Sequence, residues 1–270
     1  MIRLVVLGSG SKGNAFAVVS GEEALLVEAG FGPKSLLRRA AAAGVDVDRI
    51  QGILLTHEHG DHARGGVALA ARLRVPVLCS RGTWKALGRP EGIAHQTVRP
   101  ARPFDHGAFR IEGCLTSHDA AEPLAVAVEV SGVRIAFATD IGRPTGGVRY
   151  LFRKAHGAVI ESNYDEVLLR TGRYPPSVQH RIAGSTGHLS NHAAADLLAE
   201  VCHAGLNAVV LAHLSQQCNT AERAREIVEP VLRARGFRGT LWVAEQDWPL
   251  PAIEVWAPAA LQGELALAPP

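Results

Sequence analysis

One short stretch decides how this chain folds and what it binds: Thr56-His57-Glu58-His59-Gly60-Asp61-His62. It follows an apolar run at residues 52–55, which is typical of a buried strand. Residues two apart on an extended strand exit point the same way, so His57 and His59 can hold one ion. Asp61 and His62 come one turn later, where they can reach a second ion. Imidazole and carboxylate donors at this spacing predict a site for divalent metals, against the alternative of a His-rich surface loop.

Ligand-type side chains also follow four other strand-like runs. These runs cover residues 109–116, 133–139, 158–160 and 208–212, and the residues that come after them are His118, Asp140, Glu161 and His213. Residues at strand exits collect on one rim of a layered α/β fold, where binding sites tend to lie. A single histidine after a strand is more often a solvated loop residue, whereas four such exits beside the His cluster predict one shared site.

Further motifs accompany these side chains along most of the chain. They are Gly8-Ser9-Gly10-Ser11-Lys12-Gly13-Asn14, Thr116-Ser117-His118-Asp119-Ala120, Thr139-Asp140, Glu161-Ser162-Asn163-Tyr164-Asp165, Gly184-Ser185-Thr186-Gly187-His188-Leu189-Ser190-Asn191 and Leu211-Ala212-His213-Leu214-Ser215. Together with the His cluster, they resemble the metallo-β-lactamase superfamily and, within it, the WalJ/YycJ/VicX family. The His cluster alone identifies the superfamily, and the blocks around Glu161 and His188 are more specific.

The resemblance implies a fold of the α/β (α+β) class, the four-layer αββα sandwich of the metallo-β-lactamase fold. The predicted elements agree, because strands are mixed with helices in both halves of the chain. They include a helix that begins after Ser190 and ends near His203, and another that begins at Thr220 and has a kink at Pro230. We expect a single domain of this fold over residues 1–256 and a frayed C-terminal tail at 257–270.

The resemblance also implies two divalent metal ions, Zn²⁺ or Mn²⁺. The implied ligands are His57, His59 and His118 for one ion, Asp61, His62 and His213 for the other, and Asp140 as a bridge. Glu28 departs from the superfamily pattern, which has aspartate at this strand end to support the His loop. The longer side chain is expected to shift the loop slightly and to leave the ligand set intact.

A centre of this kind keeps a positive charge. When two carboxylates and one bridging hydroxide are counted against two divalent ions, the site retains roughly +1. That charge favours an anionic substrate and stabilises negative charge in the transition state. With the bridging hydroxide as nucleophile, the centre suits hydrolysis of a phosphodiester, an ester or a thioester, and the metal site alone does not choose among them.

Glu161 and His188 favour the phosphodiester. An imidazolium held by a carboxylate is suited to protonating an alkoxide leaving group, because the carboxylate fixes the tautomer and raises the imidazole pKa. The resemblance implies the same role, since nuclease branches of the superfamily use an equivalent pair. We therefore expect Asp61, Glu161 and His188 to act in catalysis, with His188 as the general acid. In the alternative, Glu161 caps a strand end and His188 packs against the following helix.

Six side chains are expected to contact the substrate: Ser9, Ser11, Asn14, Tyr174, Arg181 and Asn191. The first three lie on a glycine-rich loop that lacks P-loop spacing and whose tight turn brings backbone near the metals. Tyr174 and Arg181 combine an aromatic ring with a guanidinium, a pair that can stack bases and grip phosphates. In the alternative, Tyr174-Pro175-Pro176 is a rigid turn, and neighbouring carboxylates balance the arginines.

Length and composition set broad limits. With 270 residues, 47% of them hydrophobic, the chain can bury a substantial core. Its net charge of +2 argues neither for nor against nucleic-acid binding. The four cysteines include no Cys-x-x-Cys pair, so neither a zinc knuckle nor a redox motif is present. The sequence shows no signal-peptide core and no membrane-length apolar run, which predicts a cytoplasmic protein without a membrane partner.

These observations predict a metal-dependent hydrolase, a two-metal phosphodiesterase, and the resemblance implies that it acts on nucleic acid. The resemblance implies a 5′-to-3′ exonuclease on single-stranded or end-containing DNA, with RNA as a second substrate and a role in DNA repair. A hydrolase of small cyclic or activated phosphodiesters is the nearest alternative. A non-catalytic, metal-bearing regulator is the alternative from another class, and the intact set of seven ligands argues against it. Thioester or lactone hydrolysis is disfavoured, because neither needs the Glu161–His188 pair.

Overall fold

Two seven-stranded β-sheets form the framework of the computed structural model, which describes residues 2–258. The strands are β1 (Ile2–Gly8), β2 (Ala15–Ser20), β3 (Glu23–Val27), β4 (Ile50–Leu54), β5 (Val77–Cys79), β6 (His95–Thr97), β7 (Phe104–His106), β8 (Phe109–Leu115), β9 (Leu124–Val130), β10 (Val133–Ala138), β11 (Gly157–Glu161), β12 (Ala208–Ala212), β13 (Thr240–Val243) and β14 (Ile253–Val255). The helices are α1 (Pro33–Ala42), α2 (Gly60–Ala63), α3 (Gly66–Leu73), α4 (Arg81–Ala86), α5 (Gly146–Phe152), α6 (Glu166–Thr171), α7 (Pro176–Ile182), α8 (Asn191–Val201) and α9 (Ala221–Ala234), with a 3₁₀ turn at Val47–Arg49.

Both sheets combine parallel and antiparallel strands. The first has the order β14-β1-β2-β3-β4-β5-β6, and the second has the order β13-β12-β11-β10-β9-β8-β7. Strands β3 to β6 run parallel in the first sheet, and β10 to β13 run parallel in the second. Because the carboxyl ends of parallel strands meet at one edge, the loops after β10, β11 and β12 lie side by side.

Strands β2, β10, β11 and β12 are buried on both faces, which explains their nearly continuous apolar runs. In β2, Phe16 and Val18 face the second sheet, whereas Ala17 and Val19 belong to the layer under α1 and α3. Phe16 meets Phe137 of β10 between the sheets, with ring centroids 5.8 Å apart. The outer face of the second sheet packs against α5, α8 and α9. This helix–sheet–sheet–helix layering confirms the predicted αββα sandwich.

Several element boundaries follow directly from local sequence. Ser190 Oγ accepts a hydrogen bond from the Ala193 N–H (3.2 Å) at the start of α8, which confirms its predicted role as a helix cap. Between β9 and β10, Ser131 and Gly132 have φ angles of 50° and 76°. Two successive positive φ values are those of a type I′ hairpin turn, which matches the right-handed twist of the flanking strands.

Other elements differ from the sequence prediction. The short elements β6, β7, α5, α6 and α7 carry too few residues to establish an apolar period, so the pattern does not reveal them. Helix α8 ends at Val201 instead of near His203, because Cys202 already has extended backbone angles. Helix α9 continues through Pro230 to Ala234.

The limits of the predicted domain fall near the end of the described chain. The boundary at residue 256 stays a prediction, and of the tail expected at 257–270, residues 259–270 lie outside the described residues. Among residues 2–258, no helix has both the length and the apolar character needed to cross a bilayer.

Three loops interlock at one end of the first sheet and carry the His cluster. The Gly30 N–H donates to Asn14 O (2.9 Å), the Asn14 N–H donates to Asp61 O (2.8 Å), and the Ala29 N–H donates to His62 O (2.7 Å). Gly30 lies so close to this crossing that an added β-carbon would overlap the Asp61 carbonyl group. The His loop can therefore sit against the strand ends only if residue 30 is glycine.

Gly30→Ala is expected to lower the free energy of unfolding by about 1–3 kcal/mol or more, because the Asp61 backbone must move to admit the methyl group. Urea unfolding in the presence of a chelator measures this cost without a contribution from metal. Gly32→Ala is the matched control, since a β-carbon there meets nothing within 4 Å and Gly32 has a φ of −61°. Its unfolding midpoint should stay near that of the wild type. Equal midpoints for the two variants would contradict the interlocked arrangement.

Candidate metal centre

The predicted metal ligands come together at one edge of the sandwich. The His cluster lies on the loop after β4 and on α2, and the other ligands follow β8, β10 and β12. All seven predicted ligands therefore lie on segments that follow strands. The ligands form two groups, and within each group the donor atoms all lie within 4.8 Å of one another.

The first group consists of His57, His59, His118 and Asp140. His57 Nε2 lies 3.1 Å from Asp140 Oδ2, and His118 Nε2 lies 3.5 Å from the same oxygen. His118 Nε2 also lies 3.2 Å from His59 Nδ1. Three ring nitrogens and one carboxylate oxygen thus converge, a donor set that suits a divalent ion.

The second group consists of Asp61, His62, His213 and again Asp140. His62 Nε2 lies 2.9 Å from Asp140 Oδ2 and 3.6 Å from Asp61 Oδ2. His213 Nε2 lies 3.2 Å from Asp61 Oδ2, while its Nδ1 lies 2.9 Å from Asp140 Oδ1. Asp140 belongs to both groups, so its carboxylate lies between them.

Some buried polar atoms of the centre lack hydrogen-bond partners. Within residues 2–258, the buried atoms His57 Nε2 and Asp140 Oδ1 have no partner in hydrogen-bond geometry, although Asp140 Oδ2 lies 3.1 Å from the first and His213 Nδ1 lies 2.9 Å from the second. Leaving a buried donor or acceptor unpaired costs on the order of 1–3 kcal/mol. A bound cation would satisfy both atoms, so the residues present fit divalent metal ions.

Burial and mutual charge set the protonation of these groups. Burial alone would raise the pKa of the Asp61 carboxyl, but its contacts with His213 and His62 lower it to about 2. Burial also opposes ionisation of Asp140, yet the imidazoles around it hold its pKa well below the usual range. Against the effect of burial, the nearby carboxylates raise the pKa of His62 to about 10, so metal binding requires release of this proton.

Ring nitrogens of His118 and His62 that face away from the centre lie near protein oxygens. His118 Nδ1 lies 3.1 Å from the Thr186 carbonyl oxygen, which can only accept, so Nδ1 carries the proton and Nε2 is free to coordinate. His62 Nδ1 lies 3.4 Å from Glu28 Oε1, and Glu28 Oε2 accepts from the Thr56 N–H (3.4 Å). Glu28 therefore lies behind the His loop, at the position to which the resemblance assigns a supporting role.

Three non-glycine residues of the centre have left-handed backbone angles. Glu28, Asp140 and His213 have φ values of 64°, 56° and 55°; Glu28 and His213 directly follow strands, and Asp140 follows β10 with one residue between. Such conformations cost about 1–3 kcal/mol and concentrate at functional sites, where the surrounding structure holds them in place. The left-handed backbone at these strand ends therefore orients the side chains of two predicted ligands, Asp140 and His213, and of Glu28.

Glu161 and His188 form a pair beside the two groups. His188 Nδ1 lies 2.8 Å from Glu161 Oε1 and 3.1 Å from Asp140 Oδ1. Glu161 Oε2 accepts hydrogen bonds from the N–H groups of Ile141 (2.8 Å) and Leu189 (3.1 Å). Burial lowers the pKa of His188, but the charges of Glu161 and Asp140 raise it to about 9. One oxygen of Glu161 therefore secures the backbone, as in the capping interpretation, and the other holds His188.

A third group of donors overlaps the second. Asp140, Glu161, His188 and His213 also converge within 4.8 Å. His213 joins the two groups, because its Nδ1 lies 3.0 Å from Glu161 Oε1 while its Nε2 faces Asp61. Geometry alone therefore allows His188 to be either a ligand or a proton donor.

The centre opens into a cleft, and only one of the predicted substrate contacts lies along it. The lining residues are His59, Asp61, His118, Asp119, Asp140, Arg181, Ile182, Gly187 and His188. Arg181 is exposed at the end of α7 and brings a positive charge to this cleft. Tyr174 is half-buried against the small cluster around Tyr164, and Pro176 begins α7.

The other predicted contacts, apart from Ser11, are buried. Ser9 Oγ donates to Asn14 Oδ1 (2.7 Å) and accepts from the His213 N–H (2.8 Å). Asn14 Nδ2 donates to Asp61 O (3.2 Å) and is fully buried. Asn191 and Asn219 pair through both of their side-chain amides at 2.9 Å, away from the cleft. These side chains hold the ligand loops in place, whereas Ser11 is exposed on the glycine-rich loop.

Three residues that the sequence analysis did not single out support the centre. Glu58 Oε1 accepts from the Ala121 N–H (2.8 Å) and so ties the His cluster to the loop that carries His118. Asp119 lines the cleft, and Asn163 Nδ2 donates to the His213 carbonyl oxygen (2.7 Å). Glu58 and Asp119 adjoin predicted ligands in sequence, and that adjacency is the signal that could have identified them.

Comparisons with known proteins agree with this geometry. The sequence profile described as "Beta-lactamase superfamily domain" matches residues 24–214. The chain is 36% identical over 238 residues to exodeoxyribonuclease YycJ of Bacillus anthracis, covering 86% of this chain and 89% of that protein. It is 29% identical over 225 residues to exodeoxyribonuclease WalJ of Streptococcus pneumoniae, with coverages of 81% and 84%. The crystal structure of the metallo-β-lactamase-fold protein YhfI from Bacillus subtilis has a TM-score of 0.70 and 18% identity, with coverages of 92% and 98%, a likeness that concerns the fold alone.

Proposed function

The chain belongs to the metallo-β-lactamase superfamily, and from this membership we propose that it is a metal-dependent phosphodiesterase that acts as a 5′-to-3′ exonuclease on DNA. The observation that carries the proposal is the Glu161–His188 pair beside the metal ligands. Relatives that share 36% and 29% of their aligned residues with the chain bear the name exodeoxyribonuclease. RNA is the second substrate class to which the same chemistry would apply.

Two divalent ions are proposed for the centre, one for each of the first two donor groups. The proposed ligands are His57, His59 and His118 for one ion, Asp61, His62 and His213 for the other, and Asp140 for both. When bound, such ions polarise a phosphodiester and lower the pKa of water. The mixture of imidazole and carboxylate donors suits both Zn²⁺ and Mn²⁺.

His188 is proposed to supply the proton that the leaving group needs. Glu161 holds the Nδ1 side of the ring, and His188 lines the cleft, so Nε2 is available to a substrate bound there. The carboxylates keep the imidazole protonated at neutral pH, because they raise its pKa to about 9 against the effect of burial. An imidazolium in this position can donate to the departing sugar oxygen.

Arg181 is proposed as the substrate contact at the rim of the cleft. Its guanidinium is exposed and lines the same cleft as His188 and Asp61. A planar guanidinium presents a fork of donors that matches phosphate oxygens. Because Ser9, Asn14 and Asn191 are buried, we assign to them the positioning of ligand loops and not contact with substrate.

Digestion of single- and double-stranded DNA labelled at either end, with Mn²⁺ or Zn²⁺, tests the proposed activity. We expect mononucleotides to be released progressively from the 5′ end. Asp61→Ala should abolish the release, because this side chain belongs to the second donor group and lines the cleft. Release from the 3′ end would contradict the proposed polarity. Cleavage of cyclic nucleotides and dinucleotides alone would favour a small-phosphodiester hydrolase, and no cleavage of any substrate would contradict the enzyme.

His188→Ala is expected to lower DNA turnover by about 10²–10⁴-fold, the usual contribution of a general acid. The loss should be much smaller on bis(p-nitrophenyl) phosphate, whose phenolate leaves without being protonated. His192→Ala is the matched control, because His192 also pairs with a glutamate, Glu166 at 2.8 Å, but is exposed on α8. Equal losses on both substrates would contradict proton donation and favour a role for His188 in holding metal.

A further inference from the structure

Trp248 is an exposed aromatic side chain on a loop that is held at several points. It is 70% exposed, more than any other large hydrophobic side chain in the described part of the chain. The loop that carries it is fixed by backbone hydrogen bonds from Ala244 N–H to Leu211 O (2.8 Å) and from Leu250 N–H to Val6 O (3.1 Å). An indole presented to solvent on a fixed segment loses little conformational freedom when a ligand stacks on it.

The glycine-rich loop lies between Trp248 and the metal centre. On one side, Gln246 Oε1 accepts from the Lys12 N–H (2.7 Å), and Gln246 Nε2 donates to Gly13 O (2.9 Å). On the other side, Asn14 contacts Asp61, and Ser9 accepts from the His213 N–H. The glycine-rich loop therefore contacts both the metal centre and Gln246, which lies two residues before Trp248.

Two adjoining cavities meet at Trp248. One is lined by Ser9 and Leu214, which flank the His213 backbone, and by Glu245, Gln246, Asp247 and Trp248. The other is lined by Arg38, Arg39, Ala42, Asp247, Trp248 and Pro249. The indole thus separates a cavity that adjoins the metal centre from a cavity with two arginines.

The surface around the indole is positively charged. Lys12, whose N–H donates to Gln246 Oε1, and Arg38, which lines a cavity with Trp248, are exposed, and within residues 2–258 neither has a carboxylate within 4.0 Å. Arg39 lies over the Phe31 ring and 3.9 Å from Asp247. Asp247 and Glu245 line the cavities at Trp248, so three cations, Lys12, Arg38 and Arg39, accompany two anions among the residues placed there. Unpaired cations beside an exposed aromatic ring are the features with which proteins bind single-stranded nucleic acid.

We propose that Trp248 is a stacking platform for a base of single-stranded nucleic acid, whose phosphates lie against Arg38 and Lys12. The inference rests on the proposed nuclease function and adds a second contact point outside the metal cleft. A strand held both at the metal centre and at Trp248 would be bound more tightly than its terminal nucleotide alone. The platform accepts any base, because every base has a π-face.

Binding of fluorescein-labelled oligothymidylate, followed by fluorescence anisotropy in a His188→Ala background whose turnover is expected to be about 10²–10⁴-fold lower, tests the platform. Trp248→Ala should weaken Kd by about 5- to 150-fold, the range spanned by one stacked base, and Trp248→Phe should restore most of the affinity. Arg38→Gln should reduce the slope of log Kd against log salt by about 0.7.

Trp256→Ala is the matched control. Trp256 is 46% exposed, but its carbonyl oxygen accepts from Asn207 Nδ2 (2.7 Å), which places it at the opposite end of β12 from His213. Its Kd should stay within about twofold of the parent value, as expected for a surface change away from the site.

An unchanged Kd in Trp248→Ala would overturn the platform. If the wild-type protein still cut DNA, that result would leave the nuclease proposal intact. A wild-type protein that neither cuts nor binds any oligonucleotide would overturn both proposals. A change in molar mass by light scattering with no change in Kd would instead identify Trp248 as a contact between protein chains.

Discussion

The rest of the centre depends on one constraint, the cost of burying the ionised carboxylate of Asp140. Asp140 is 2% exposed, and ring nitrogens of His57, His62, His118, His188 and His213 lie within 3.5 Å of its oxygens. An ionised carboxylate is costly to bury, by several kcal/mol, unless charges and hydrogen bonds compensate for the lost water. Here, compensation comes from the imidazoles together with the cations that their donor atoms fit. The left-handed backbone at Asp140 adds a further cost that only the surrounding structure can sustain.

The fold provides that support through contacts between loops that are distant in sequence. Ser9 joins the glycine-rich loop to His213, Asn14 joins it to the Asp61 turn, and Gly30 admits the Asp61 carbonyl group. Glu161 fixes the backbone after β10 with one oxygen and the His188 ring with the other. The backbones of Asp61 and His213 and the ring of His188 are therefore held by contacts outside the donor groups, which orients these side chains for a charged substrate.

Sequence reasoning predicted the features that depend on local pattern. Apolar runs followed by ligand-type residues placed Asp140 and His213 at strand exits, and Ser190 was identified as a helix cap. It did not foresee that Ser9 is buried, because its partner, the His213 N–H, is 204 residues away in the chain. A polar residue on a glycine-rich loop looks the same in sequence whether it faces substrate or another loop. The edge strand β6, His95-Gln96-Thr97, was missed because three polar residues carry no alternation.

Anomalous diffraction from crystals grown with Mn²⁺ tests most directly whether this centre is a two-metal site with a separate proton donor. The account predicts two peaks about 3.5–4 Å apart on either side of Asp140. One peak should be bound by His57, His59 and His118, the other by Asp61, His62 and His213, and His188 should bind neither. A single peak, or a peak coordinated by Glu161 and His188, would contradict it.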